Sequence, residues 1–77
     1  MIVRGEVTSV SFKDNGWWVQ LDGEIGLRID GAAQDHFRRD ALRRLRGTEV
    51  EARGWLVPMG GWWQMRLGHP TMLAQLR

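Results

Sequence analysis

Two tryptophan doublets, Trp17-Trp18 and Trp62-Trp63, each follow a glycine-containing turn in a 77-residue chain that has five tryptophans and no tyrosine. Neighbouring side chains of a strand point to opposite faces, so each doublet sends one indole inward and presents the other at the surface. A surface indole can stack on a nucleic-acid base, and stacking tolerates any base because every base has a π-face. The same ring can equally anchor a protein partner or a second domain. Parity with their apolar neighbours assigns Trp17 and Trp63 to packing and Trp18 and Trp62 to the surface.

The residues that alternate onto the same side as those two rings are amides and cations. Gln20 follows Trp18, Gln64 and Arg66 follow Trp62, and Arg28 lies on the intervening segment. Lys13 stands in the turn before the first doublet. Rings on bases and guanidinium groups on phosphates are the chemistry of a single-strand groove. Arg53 and Trp55 also fall on an outer face, on a segment expected to lie off its centre.

Catalytic and metal chemistry have little to work with. The chain has no cysteine, and His36 and His69 lack metal-ligand spacing. His69 precedes Pro70 and is expected to bond a loop carbonyl at a strand end. Glu49 and Glu51 share one strand face, a commonplace of exposed strands, and no glycine-rich phosphate cradle is present. The expectation is a non-enzymatic module without cofactor or metal.

The elements that must position these groups follow from periodicity. Ile2 to Phe12 reads as a long strand, in which the change of parity between Val7 and Val10 marks a bulge. Lys13-Asp14-Asn15-Gly16 reads as a hairpin turn, and Trp17 to Leu21 as a second strand. Asp22-Gly23 signals a two-residue hairpin leading to a third strand, Glu24 to Asp30. Ala33, Phe37, Ala41 and Leu45, with Leu42, then recur at helical spacing over about three turns, and Gly47 can end that helix. Within it Asp35 with Arg39 and Asp40 with Arg44 are spaced to pair, so its five arginines read as a solvated face, with a secondary phosphate site as the alternative. Thr48 to Val57 and Trp62 to Leu67 alternate again, joined by Pro58 to Gly61, and Thr71 to Leu76 is expected to be a short helical tail.

Three meandering strands, a helix and a hairpin give a mostly β domain spanning residues 1–77. The order predicted is that of a five-stranded OB-fold-like barrel with one helix between strands three and four. An SH3-like barrel would leave the helix without a place. Oligonucleotides in OB-folds cross strands two and three between two loops, here Lys13 to Gly16 and Pro58 to Gly61.

Net charge is +2, yet ten of the eleven basic residues are arginine, so the balance permits phosphate contact without requiring it. No apolar run approaches the roughly 20 residues of a membrane span, and the first residues lack a signal-peptide pattern. A cytoplasmic location is therefore expected, an excised domain of an exported protein being the alternative; oligomeric state stays open.

Three segments carry a family resemblance. They are Val3-Arg4-Gly5-Glu6-Val7, the run from Leu45-Arg46-Gly47-Thr48 to Arg53-Gly54-Trp55-Leu56, and Met65-Arg66-Leu67-Gly68-His69-Pro70. Together they resemble the tail domains that follow the catalytic region in some bacterial thermonuclease-like proteins of the staphylococcal nuclease family. The resemblance implies an OB-like accessory domain associated with nucleic-acid metabolism. It brings no catalytic residue, because the acidic and arginine constellation of the nuclease domain has no counterpart here.

Overall fold

Strand β1 (Ile2–Lys13) is long enough to serve two neighbours, and a bulge divides its work. In the computed structural model, which describes residues 1–76, its first half pairs with β4 (Glu49–Arg53) through Ile2 to Glu6. Its second half pairs with β2 (Gly16–Leu21), and the register shifts between Val7 and Ser9 as the parity change predicts. The extra residue bends the strand and lets one chain join two parts of a curved sheet. The turn between them is a tight one, with Lys13 opposite Gly16 and with Asp14 and Asn15 both at positive φ, 55° and 57°. Asp and Asn are the non-glycine residues that best tolerate that conformation.

Strand β3 (Ile25–Asp30) continues the meander after a three-residue connection in which Glu24 also takes a positive φ, rather than the two-residue turn expected. Beyond β4 come β5 (Leu56–Pro58), β6 (Trp63–Arg66) and β7 (Leu73–Gln75). The seven strands of the described residues form one mixed sheet in the order β5-β6-β3-β2-β1-β4-β7, in which β3 and β6 run parallel. Just Gly54 and Trp55 separate β4 from β5, although the two strands stand near opposite ends of that order. Three Cα steps reach at most roughly 11 Å, so the sheet must curl until its ends face each other.

The alternating apolar residues fill the inside of the curl. Val7, Val19, Leu21, Leu27, Ile29 and Met65 are all at most 1% exposed. Helix α1 (Arg39–Arg43) adds Leu42 to this core, the turn after it adds Leu45, and Arg43 lies 5.6 Å over the Trp17 ring. Trp17 is buried, as its parity requires.

Several further expectations are corrected. The fourth strand breaks at Gly54-Trp55 into β4 and β5, so seven strands replace five. The three-turn helix is instead a 3-10 turn over Gly31–His36, an extended joint at Phe37 and Arg38, and five residues of α1. Four residues turn an α-helix by about 400°, so a stripe at strict four-residue steps drifts about 40° at each step. Ala33 and Leu45 could not both face the core from one straight helix, and the joint restores both. It also separates Asp35 from Arg39, which form no ion pair among the described residues, whereas Asp40 meets Arg44 at 2.9 Å and Arg38 at 3.2 Å. Desolvation raises the Asp40 carboxyl pKa, but the two guanidinium groups and the Ala41 N–H outweigh it and leave it below the ordinary aspartate value.

The tail is corrected as well. A 3-10 turn at Pro70–Met72 leads not to a helix but to β7, which pairs with β4 through Leu73 opposite Ala52. The free edge of β4 offers ladder partners that outweigh the modest helical preference of this segment. His69 caps that turn rather than bonding a carbonyl, because its Nδ1 accepts the Thr71 N–H at 3.2 Å. No helix among the described residues is long and apolar enough to cross a membrane.

Candidate functional site

The outer face of the curl is built by register. Ser11, Trp18, Arg28 and Arg66 stand in one row across β1, β2, β3 and β6, and Ser9, Gln20, Gly26 and Gln64 in the next. Trp62 precedes β6 and folds back onto this face. It lies over Gly26, where a Cβ would stand only 3.0 Å from the Trp62 ring. A glycine in the middle of β3 therefore provides the flat seat for an indole.

Trp18 and Trp62 meet edge to face, with centroids 5.5 Å apart and planes at 68°. Both rings are partly exposed, and they form two walls of an open groove of about 360 Å³. Ser9, Ser11, Lys13 and Gln20 complete its lining, so Lys13 is its only charged residue among the described residues. Gln20 is held by two hydrogen bonds from its Nε2, to the carbonyls of Leu21 and Ile25. With both amide protons engaged, the side-chain oxygen is left as a fixed acceptor.

Ser9 and Ser11 were not among the candidates read from the sequence. The signal was present in the bulge: once Thr8 is skipped, Val10 faces inward and the two serines join Trp18 and Gln20 on the outer face.

Arg28 departs most from expectation. It shares the outer parity but is buried, at 7% exposure, beneath Trp18, with its guanidinium carbon 4.6 Å from that ring. Nη1 donates to the Lys13 carbonyl at 2.9 Å and Nη2 to the Asp14 carbonyl at 2.7 Å. Nε faces Asp30 at 3.5 Å. The planar fork of arginine suits this bidentate grip on a turn. Burial is possible because Gly16 yields space: a Cβ there would fall 2.6 Å from the guanidinium carbon. Arg28 thus ties the β1–β2 turn to β3 and supports Trp18 from below.

Gln64 and Arg66 keep the outer face but line a neighbouring hollow of about 410 Å³ with Gly54, Trp55, Val57 and Met72. Arg66 is exposed and contacts Asp30 at 3.4 Å. Trp63, expected in the core, is 45% exposed. It has the parity of Met65 but begins β6 at the end of the strand, opposite Pro58 and Ile25, and is not among the residues packed against the core.

Two further features lie outside this face. A hollow of about 330 Å³ between α1 and the tail is lined by Phe37, Ala41, Leu42, Leu45 and Leu73 among others, and His36 and His69 face one another near it at 5.4 Å. No group of three His, Cys, Asp or Glu among the described residues is placed to hold a metal ion.

Because Gly26 seats Trp62, a Gly26→Val substitution is expected to lift that ring from the sheet. The exciton couplet of the Trp18–Trp62 pair in the far-ultraviolet circular dichroism should vanish while the cooperative unfolding transition persists. An unchanged couplet would mean that the two rings do not depend on this seat.

No family model, no curated protein and no solved structure matches this chain.

Proposed function

We propose that this chain is a non-enzymatic OB-fold module that binds single-stranded nucleic acid in the Trp18–Trp62 groove. The observation that carries the reading is the groove itself: two crossed, accessible indoles beside a lysine, a fixed amide and two hydroxyls, with no acidic residue among the described residues that line it. One unstacked base fits against either indole face, and the Lys13 ammonium is placed to meet a neighbouring phosphate. Gln20 and the two serines supply polar contacts to the base or sugar edge.

The connectivity supports the OB assignment. If β4 and β5 are taken as one strand broken at Gly54-Trp55, then the order β1-β2-β3-α-β4-β5 of that fold is reproduced. The parallel contact of β3 with the last hairpin strand and the service of β1 to both β2 and β4 agree with it. The Trp18–Trp62 groove then lies across strands two and three, where oligonucleotides cross OB-folds. Arg28 takes a supporting part in this reading, as the residue that holds Trp18 and the first loop in place. The likeness of Leu45 to Leu56 and Met65 to Pro70 to thermonuclease-like tail domains supports an accessory role in nucleic-acid metabolism.

Titration of the intrinsic tryptophan fluorescence with single-stranded oligonucleotides tests the reading. Saturable quenching is expected at low salt, weaker at moderate salt and weaker for duplex, because few phosphates are contacted and the bases must be unstacked. No change at low salt would refute it and leave Trp18 and Trp62 as a docking patch for a protein or a second domain.

A further inference from the structure

The hollow beside the groove has no part in the binding scheme above, yet it holds the most exposed large apolar residue of the chain. Trp55 is 86% exposed in the two-residue break between β4 and β5, and no aromatic ring packs on it among the described residues. Among the described residues Arg66 is the only charged one that lines this hollow, and its side chain is 71% exposed. The hollow and the Trp18–Trp62 groove share one face, since Trp18 and Arg66 both pair with Arg28 across β3, and Gln20 and Gln64 both pair with Gly26. Trp62, seated on Gly26, stands between them.

Resting on the single-strand reading of that groove, we propose that Trp55 and Arg66 form a second stacking-and-phosphate subsite on the same ligand path. A strand entering at Lys13 passes the Trp18–Trp62 corner, crosses β3 and β6, and places a later base on Trp55 while Arg66 meets an intervening phosphate. The length of the ligand follows. Three strand spacings separate β2 from β5, roughly 14 Å at about 4.8 Å each. Stacked nucleotides advance about 3.4 Å each, so about five nucleotides connect the two sites, near the lower end of OB-fold site sizes. A dinucleotide reaches only one of them.

Two features favour a nucleic acid here over an apolar partner. The hollow brings together one ring, that of Trp55, one cation, Arg66, and one amide, Gln64, beside Gly54, Val57 and Met72, and so offers a stacking surface with a phosphate contact next to it. It also lies on the same sheet face as a groove in which the charged residue among the described ones, Lys13, is likewise positive.

The test uses the five tryptophan indole N–H signals of the ¹⁵N-labelled chain, titrated with oligothymidylates of two and of eight nucleotides. With the dinucleotide, the signals of Trp18 and Trp62 should move and that of Trp55 should stay; with the octamer all three should move. Trp55→Ala should weaken the octamer about tenfold and leave the dinucleotide unaffected, and its exposure makes the variant safe for folding. Movement of Trp18 and Trp62 without Trp55 in the octamer, together with unchanged Trp55→Ala affinity, overturns this inference and leaves the groove intact. Movement of Trp55 with the dinucleotide equal to that of Trp18 overturns the shared path. Silence of every indole with both ligands overturns the single-strand reading itself.

Discussion

Replacing Trp18 or Trp62 with alanine is expected to lower single-strand affinity by roughly 5- to 150-fold, the range corresponding to about 1–3 kcal/mol for each stacked base. The two losses should not add. The rings touch at 5.5 Å, and removal of either changes the wall against which the other presents a base, so the double variant should lose less than the product of the single ones. Trp18→Phe should retain part of the affinity, since a smaller ring still stacks. Anisotropy of a labelled oligonucleotide gives the affinity, and near-ultraviolet circular dichroism checks that the remaining tryptophans keep their packing. Wild-type affinity in both alanine variants would remove the groove from consideration.

Arg28→Ala is the second large effect, and it is an effect on stability. The substitution strips the partners from the Lys13 and Asp14 carbonyls and leaves a void beneath Trp18. Hydrogen bonds to a charged group contribute about 1.5–3 kcal/mol each, and less here because Lys13 and Asp14 are exposed and water can reach the carbonyls left bare. Asp30 keeps Arg66 and is partly solvated, so the cost of an orphaned buried charge is largely avoided. A loss of about 2–4 kcal/mol in unfolding free energy is therefore expected, a large share of what a domain of this size possesses. Arg28→Lys should recover less than half of it, because an ammonium cannot bridge two carbonyls and lie flat against the indole. Gly16→Ala should reproduce the defect from the other side, its Cβ being 2.6 Å from the guanidinium carbon and 2.8 Å from the Ile29 carbonyl oxygen. Urea unfolding at constant m-value measures all three; a shift below about 0.5 kcal/mol for Arg28→Ala would mean that the buried guanidinium is dispensable.

These two experiments separate roles that look alike in a contact map. Trp18 and Trp62 should affect affinity more than stability, and Arg28 stability more than intrinsic affinity at full folding. The distinction follows from exposure: the rings are open to a ligand, while the guanidinium already has its partners inside the fold.

The same contrast explains how much of the site could be read in advance. Lys13, Trp18, Gln20 and Trp62 line one groove, and parity alone placed three of them on a common face. Gln64 and Arg66 share that face but open onto the adjoining hollow. Arg28 has the same parity and a different fate, since outward parity states only which side of the sheet a side chain leaves, not what then covers it. Trp63 illustrates the converse, a residue of inward parity that is left 45% exposed at the start of β6.

By itself, the sequence determined the local geometry: the alternation of β1, β2, β3 and β6, the bulge after Val7, the tight turn at Asp14-Asn15, and the buried faces of Val19, Leu27 and Met65. Those properties depend on residues a few positions apart, whose backbone preferences and polarity act before any long-range contact forms. Only the tertiary structure decided where the fourth strand breaks, that the tail becomes β7 instead of a helix, that the expected helix is jointed at Phe37, and that Arg28 is sealed beneath Trp18. Each of those outcomes depends on a partner distant in sequence: a sheet edge left open, a core that one straight helix could not fill from both ends, or a glycine whose missing Cβ makes room for a guanidinium group.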